Sequence, residues 1–211
     1  MRIKLVSIKE DFTNLFNYPT EIMTKEPDGN DRPFLLVLKL KYKNKIQPFA
    51  IPFRSNIQVN KNTQGLYFSL PPRPTTKPNH AHGLHYIKIF PVDIEYCNKF
   101  TFKETKYNLM LQKIIDKNIN RIFNEAQEYL KNYENGSRPI YCTDIDKMIN
   151  TLERNKLHKQ ILIEYVEKQI DTNQEKNVLT SWLGGLLSCE KFITHIVCNI
   201  IVFIVHYVHN K

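Results

Sequence analysis

Three polar residues with side chains suited to binding a phosphate follow an apolar stretch of the sequence. Arg54, Ser55 and Asn56 come directly after residues 49–53, which read FAIPF. Arginine presents a planar fork of N–H donors that matches a phosphate, serine offers a hydroxyl that donates or accepts, and asparagine adds an orienting amide. This combination suits the phosphorane that forms when a phosphodiester is attacked, so the stretch predicts phosphoryl chemistry.

Metal-free cleavage of RNA requires several kinds of group around the phosphate. A base takes the proton of the 2′-OH, cations stabilise the developing charge, and another group assists the leaving oxygen. Arg32, Arg54 and Lys88 are the candidate cations, and a histidine of the HAHGLH stretch at 80–85 is a candidate for proton transfer. The structural alternatives stay open, because Ser-Asn after a strand is a common turn pair and Arg54 and Lys88 suit a solvent-facing surface.

The overall charge points to a polyanionic partner. The chain has 30 Lys and Arg against 21 Asp and Glu, which gives a formal net charge of +9. Such a balance favours nucleic acid or an anionic membrane surface, although many basic proteins use their charge only for solubility. The residues that we expect to bind RNA in a basic groove beside the phosphate site are Asn56, Arg73, Lys77, His80, His82 and Tyr86.

Motifs for a metal or a cofactor are lacking in the sequence. Four cysteines form no CxxC pair, and the histidines show no HExxH spacing. The HAHGLH stretch alone is a weak metal motif, so we expect neither a metal nor a cofactor. The opening RIKLVSIKEDF is amphipathic rather than a signal peptide, which together with the cysteine pattern predicts a cytoplasmic protein with reduced thiols.

The pattern of apolar residues predicts an antiparallel sheet in the first half of the chain. We expect strands at 2–8, 33–42, 46–53, 66–70 and 84–96, with the second and third joined as a hairpin by KNK. The last of these strands would place Tyr86 and Lys88 on one face, because side chains alternate along a strand. The Pro-rich stretch at 71–83 reads as a surface loop that carries Arg73, Lys77 and the histidine cluster.

Helices are predicted in the second half of the chain. Apolar residues recur at spacings of three and four from Tyr107 to Leu130, and Gly136 and Pro139 end this helix. A second helical stretch begins near Thr143, with a bend or a break near 154–156. We expect one main domain over 1–177 and an apolar C-terminal extension over 178–211.

The extension contains a stretch with two competing interpretations. Residues 192–208 are seventeen residues without a formal charge, which is the lower limit for crossing a bilayer. Thr194, His195, Asn199 and His206 lie within it, and polar side chains are costly in hydrocarbon. A buried or partner-bound segment is therefore favoured over membrane insertion.

The order of several motifs resembles a known family. RPFLLVLKLKY, FAIPFRSNI, LYFSL and HGLHYIKIFPV follow one another before the long helix, over roughly residues 2–134. This series is similar to the toxins of type III toxin–antitoxin systems, nearest to the TenpN branch and more distantly to ToxN and AbiQ. The resemblance implies a metal-independent endoribonuclease with a twisted antiparallel sheet flanked by helices, an α+β fold related to the Kid and MazF toxins.

The resemblance also implies a site and an RNA partner. Ser55 stands at the position of the family's essential serine, and Arg32 at that of a basic residue before the first hairpin strand. Arg54 replaces a threonine of the ToxN branch, Ile57 replaces a lysine, and His85 stands where an acidic residue is expected. Such toxins cleave RNA to a 2′,3′-cyclic phosphate and are inhibited by pseudoknot repeats of an antitoxin RNA, held in a closed protein–RNA hetero-oligomer. They act on cellular or phage RNA.

Three functions follow from these observations. The first is a ribonuclease toxin in which Ser55, Arg54, Lys88 and Arg32 surround the scissile phosphate. The second is a basic RNA-binding module without catalysis, and the third is a membrane-associated interaction protein that uses the C-terminal extension. Loss of cleavage on replacement of Ser55 separates the first from the second, and membrane fractionation that depends on residues 192–211 identifies the third.

Overall fold

The computed structural model describes residues 2–18, 22–26 and 28–181, and the side chains of 4–18, 22–26 and 28–169. The chain divides into two units, Met1–Leu157 and His158–Lys211. The first unit contains all the strands described below, and the described part of the second unit, 158–181, is the C-terminal part of the last helix. The boundary expected at 177 and the apolar extension at 178–211 stay predictions.

The first unit is built on an antiparallel sheet of seven strands. The strands are β1 (Arg2–Ile8), β2 (Phe34–Tyr42), β3 (Lys45–Gln58), β4 (Tyr67–Leu70), β5 (His80–His85), β6 (Phe90–Pro91) and β7 (Cys97–Lys99). Their order across the sheet is β4-β5-β3-β2-β1-β7, and β6 pairs with β3. The α+β class predicted from the sequence is therefore confirmed, whereas its relation to the Kid and MazF toxins stays a prediction.

The hairpin of β2 and β3 matches the predicted one, with one difference at its far end. Its turn residues Lys43 and Asn44 have positive φ angles of 45° and 63°, as two-residue hairpin turns require. The expectation that the third strand ends before Arg54 was wrong, since β3 continues to Gln58. Arg54 pairs with Gly83 and Ile57 pairs with Ala81, so β3 has one more residue than β5 between these two pairs. The polar residues therefore lie in a β-bulge.

The prediction of one long strand over residues 84–96 was also wrong. The chain leaves β5 after His85, makes a 3-10 turn at Tyr86–Lys88, pairs again as β6 and makes a second 3-10 turn at Ile94–Tyr96. Tyr86 and Lys88 consequently do not share the face of a strand. The Pro-rich loop is shorter than predicted, because the histidine cluster forms β5, in which His82 and His85 are buried.

Helices cover both faces of the sheet in the first unit. The helices are α1 (Glu10–Asn14), α2 (Lys106–Glu134) and α3 (Ile145–Ser181). The apolar stripe of α2, including Leu111, Ile122 and Leu130, packs into one buried cluster with side chains of β2, β3 and β5. A second cluster joins Phe12 of α1 and Met148 of α3 to the opposite side. The break expected near 154–156 is absent from α3.

The segment considered for membrane insertion, 192–208, lies outside the described residues. Within the part that the structure describes, no helix combines the length and the apolar character needed to cross a bilayer.

Candidate active site

Two cavities beside the bulge of β3 contain the residues predicted to bind a phosphate. The smaller has a volume of about 170 Å³ and is lined by Ser55, Asn56 and Arg73, among others. The larger has a volume of about 250 Å³ and is lined by Lys88. Arg32 and Arg54 line both cavities. The tertiary structure therefore brings the four predicted catalytic residues to one region of the surface.

The bulge explains how neighbouring residues of β3 reach the site together. In a regular strand, successive side chains point to opposite faces of the sheet. The extra residue between Arg54 and Ile57 interrupts this alternation, and Phe53, Arg54, Ser55 and Asn56 all line the smaller cavity. Bulges redirect side chains in this way beside many functional sites.

Arg32 is held by a small hairpin that precedes β2. Its backbone N–H donates to Thr24 O at 2.8 Å, and Lys25 and Asp31 form a bridge between the two arms. The Asp31 carboxylate accepts from Lys25 at 2.6 Å and from the buried Ser7 hydroxyl at 3.1 Å. The pKa of Asp31 lies below its usual value, and the largest cause is the hydrogen bond that its carboxylate accepts from Lys25. These contacts fasten the hairpin to β1.

A carboxylate lies among the arginines of the smaller cavity. Glu26 Oε2 accepts from Arg32 Nη2 at 3.2 Å, and Glu26 Oε1 lies 4.0 Å from Arg73 Nη1. Arg32 Nε is buried and has no hydrogen-bond partner among the described residues. Glu26 is not identifiable from the sequence, because no local pattern connects it with Arg73.

Lys88 reaches the larger cavity from the 3-10 turn after β5. The residue is 9% exposed, and its ammonium donates to the backbone carbonyl of Tyr141. Asp144 and Lys147 also line this cavity, and Asp144 Oδ1 accepts from the Lys147 backbone N–H at 3.0 Å in the first turn of α3. Lys147 Nζ in turn lies 3.6 Å from the centroid of the Tyr18 ring.

His82 lines the smaller cavity and is almost fully buried, at 1% exposure. Its Nδ1 lies 2.8 Å from Pro71 O, which only accepts, so Nδ1 carries the proton and Nε2 is left as an acceptor. The Tyr107 hydroxyl also donates to Pro71 O, at 2.7 Å. Burial, followed by the charge of Arg73, lowers the pKa of His82.

His85 is a second buried histidine near the candidate cations. Burial lowers its pKa to about 3, with smaller effects from the charges of Arg54 and Lys88. Neither ring nitrogen has a hydrogen-bond partner among the described residues. A neutral imidazole therefore stands where the family resemblance led us to expect an acidic residue.

The other predicted RNA-binding residues do not all line the two cavities. Tyr86 is fully buried and its hydroxyl donates to Glu125 at 2.8 Å, so its ring packs in the core rather than on a surface that binds RNA. Asn56 Oδ1 accepts from the Lys77 backbone N–H at 2.8 Å, which fastens the 71–79 loop to the bulge. Lys77 and His80 do not line either of the two cavities.

No group of His, Cys, Asp and Glu side chains that could hold a metal ion occurs in the described part of the chain. Cys97 and Cys142 are free thiols. Cys189 and Cys198 lie outside the described residues.

Comparisons with known proteins give matches among solved structures but none by sequence. No protein-family model and no curated protein matches the chain. A chain from a solved structure described as "A processed non-coding RNA regulates a bacterial antiviral system", the ToxN–ToxI type III toxin–antitoxin complex, is 12% identical, with a TM-score of 0.46 over 66% of this chain and 91% of that chain. This likeness is weak, and the chemistry assigned to the chain rests on its own residues.

Proposed function

We propose that the chain is a metal-independent endoribonuclease toxin of a type III toxin–antitoxin system. One observation carries the proposal: Arg32, Arg54, Ser55 and Lys88, which come from three separate segments of the sequence, line two cavities that share Arg32 and Arg54. Several cations around a hydroxyl suit a phosphodiester, because the arginine fork and the lysine ammonium both stabilise phosphoryl oxygens. The order of the sequence motifs, which resembles that of type III toxins, supports the family part of the proposal.

Each residue has a role in the proposed reaction. The scissile phosphate binds between Arg32 and Arg54, with Arg32 positioning the RNA backbone for in-line attack. Arg54 and Lys88 stabilise the charge that develops on the phosphoryl oxygens. Ser55 contacts the attacking or phosphoryl oxygen through its hydroxyl. Attack by the 2′-oxygen then leaves a 2′,3′-cyclic phosphate on one product.

The same surface is proposed to hold an inhibitory RNA. Pseudoknot repeats of an antitoxin RNA bind the basic groove and form a closed hetero-oligomer with the toxin in the cytoplasm. Release of the toxin exposes cellular or phage RNA to cleavage, which arrests growth and limits phage. Binding to single-stranded RNA depends on phosphate contacts and therefore weakens as the salt concentration rises.

A basic RNA-binding module without catalysis is the second candidate. The charge of +9 and the exposed Lys77 favour RNA binding whether or not the phosphate is cleaved. The two functions differ in their dependence on Ser55, because a single hydroxyl contributes little to binding that is dominated by phosphate contacts.

The test compares the wild type with Ser55→Ala and with Ser69→Ala as a matched control. Ser69 is an exposed serine of β4 that lines neither cavity. The proteins are incubated with cellular RNA in EDTA, and the new ends are mapped and tested for cyclic phosphate. The proposal expects cleavage by the wild type and Ser69→Ala alone. Equal cleavage by Ser55→Ala removes Ser55 from the mechanism, and RNA binding without cleavage by any variant favours the second candidate.

A further inference from the structure

The smaller cavity contains a group whose chemistry is not used in the roles given above. Glu26 is the carboxylate among its described lining residues, which otherwise include three arginines, Ser55 and His82. The side chain is 27% exposed, so a bound substrate can reach it. RNA cleavage by the 2′-oxygen needs an acceptor for the 2′-OH proton, and carboxylates are common general bases.

The two oxygens of Glu26 have different surroundings. Oε2 accepts from Arg32 Nη2 at 3.2 Å, which orients the carboxylate in the cavity. Oε1 lies 4.0 Å from Arg73 Nη1, beyond hydrogen-bond distance. One oxygen is therefore fixed by a residue that we assign to phosphate positioning, while the other keeps lone pairs for a substrate proton.

The backbone around Glu26 is well fixed for such a role. Its N–H donates to Asn30 O at 2.8 Å, and its carbonyl accepts from the Gly29 N–H at 2.9 Å. The ion pair of Lys25 with Asp31 joins the two arms of the same hairpin. A general base must be held in a defined position to accept a proton, and these contacts restrict the positions that Glu26 can take.

We propose that Glu26 is the general base of the ribonuclease reaction, an inference that rests on the proposed function. The 2′-OH proton passes to Glu26 Oε1 while the 2′-oxygen forms a bond to phosphorus and the bond from phosphorus to the 5′-oxygen breaks. The leaving 5′-oxygen takes a proton from a water molecule. The hydroxide that remains is neutralised by the proton that the Glu26 carboxyl then releases.

His82 is the other proton acceptor that lines this cavity, and its geometry favours a supporting role. Its Nδ1 is committed to Pro71 O, and its Nε2 is buried. The ring is held by the Pro71 carbonyl and packs beside Tyr107, with 6.5 Å between the ring centroids. Glu26 is the more accessible of the two groups and is hydrogen-bonded to a residue that we place at the phosphate.

The test measures single-turnover cleavage of an oligoribonucleotide by the wild-type chain and by Glu26→Gln, Glu26→Asp and Asp28→Asn. Asp28→Asn is the matched control, because it makes the same charge change in the same hairpin at a side chain that does not line the cavity. Affinity is measured separately with a 2′-deoxy analogue that cannot be cleaved. Folding of every variant is compared by urea unfolding.

The expected result is a 10²–10⁴-fold loss of the cleavage rate constant in Glu26→Gln, the range typical for removal of a general base. Its affinity for the deoxy analogue stays equal or rises, because a negative charge leaves the phosphate site. Glu26→Asp recovers part of the rate, and Asp28→Asn keeps the wild-type rate. The Glu26→Gln loss persists on a substrate with a 5′-thiolate leaving group, which needs no proton on departure.

Three results overturn the inference. If Glu26→Gln cleaves at the wild-type rate while Ser55→Ala loses cleavage, the protein is a ribonuclease but Glu26 is not its general base. Recovery of the Glu26→Gln rate on the 5′-thiolate substrate makes Glu26 an acid for the leaving group instead. Absence of cleavage by the wild type overturns the proposed function and the inference together.

Discussion

Replacement of Lys88 by methionine tests the electrostatic part of the proposed site. Lys88 is 9% exposed, so little solvent screens its charge from an anion bound in the larger cavity. At an effective dielectric constant of about 20, two unit charges about 4 Å apart interact by roughly 4 kcal/mol. Part of this energy already acts on the bound ground state, so we expect the cleavage rate constant to fall about 10²–10³-fold, the range found for single oxyanion donors.

The assay combines cleavage, binding and stability measurements. Single-turnover cleavage in EDTA gives the rate constant, and binding of a 2′-deoxy analogue at several salt concentrations gives the number of phosphate contacts. Loss of one contact lowers the salt slope by about 0.7. Lys131→Met, at an exposed position of α2, is the control for the change in net charge. Cleavage by folded Lys88→Met at the wild-type rate, with an unchanged salt slope, would refute the electrostatic role.

Two further predictions concern the stability of the strand that leads to Lys88. Because the pKa of His85 is about 3 when folded and 6.5 in the reference state, the unfolded chain binds a proton first, and stability falls as pH drops below 6.5. The free energy of unfolding should decrease by about 2 kcal/mol more in the wild type than in His85→Leu between pH 7.5 and pH 5, and parallel curves would contradict this. Gly83→Ala places a Cβ 2.2 Å from the backbone oxygen of Phe68, so we expect a loss of about 1–3 kcal/mol in urea unfolding, and an unchanged midpoint would show that β4 and β5 adjust freely.

The regular elements were largely predictable, because their signals are local. The helical spacing of apolar residues between Tyr107 and Leu130 marks the buried stripe of α2, which runs from Lys106 to Glu134. The two apolar runs around KNK likewise gave the β2–β3 hairpin. The strand predicted at 84–96 failed because its alternation did not reveal that the backbone turns at Tyr86–Lys88, where the Tyr86 ring is buried and its hydroxyl reaches Glu125 of α2.

The sequence by itself determined the residue types suited to a phosphate and the elements that carry most of them. It identified Arg32, Arg54, Ser55 and Lys88 as candidates, but it described the region from Arg54 to Asn56 as the end of a strand. Only the tertiary structure decided that β3 continues through a bulge, because that bulge depends on pairing with β5, and that Glu26 lies between Arg32 and Arg73. Side-chain periodicity acts over a few residues, whereas the site is assembled by contacts between segments tens of residues apart, which no local pattern specifies.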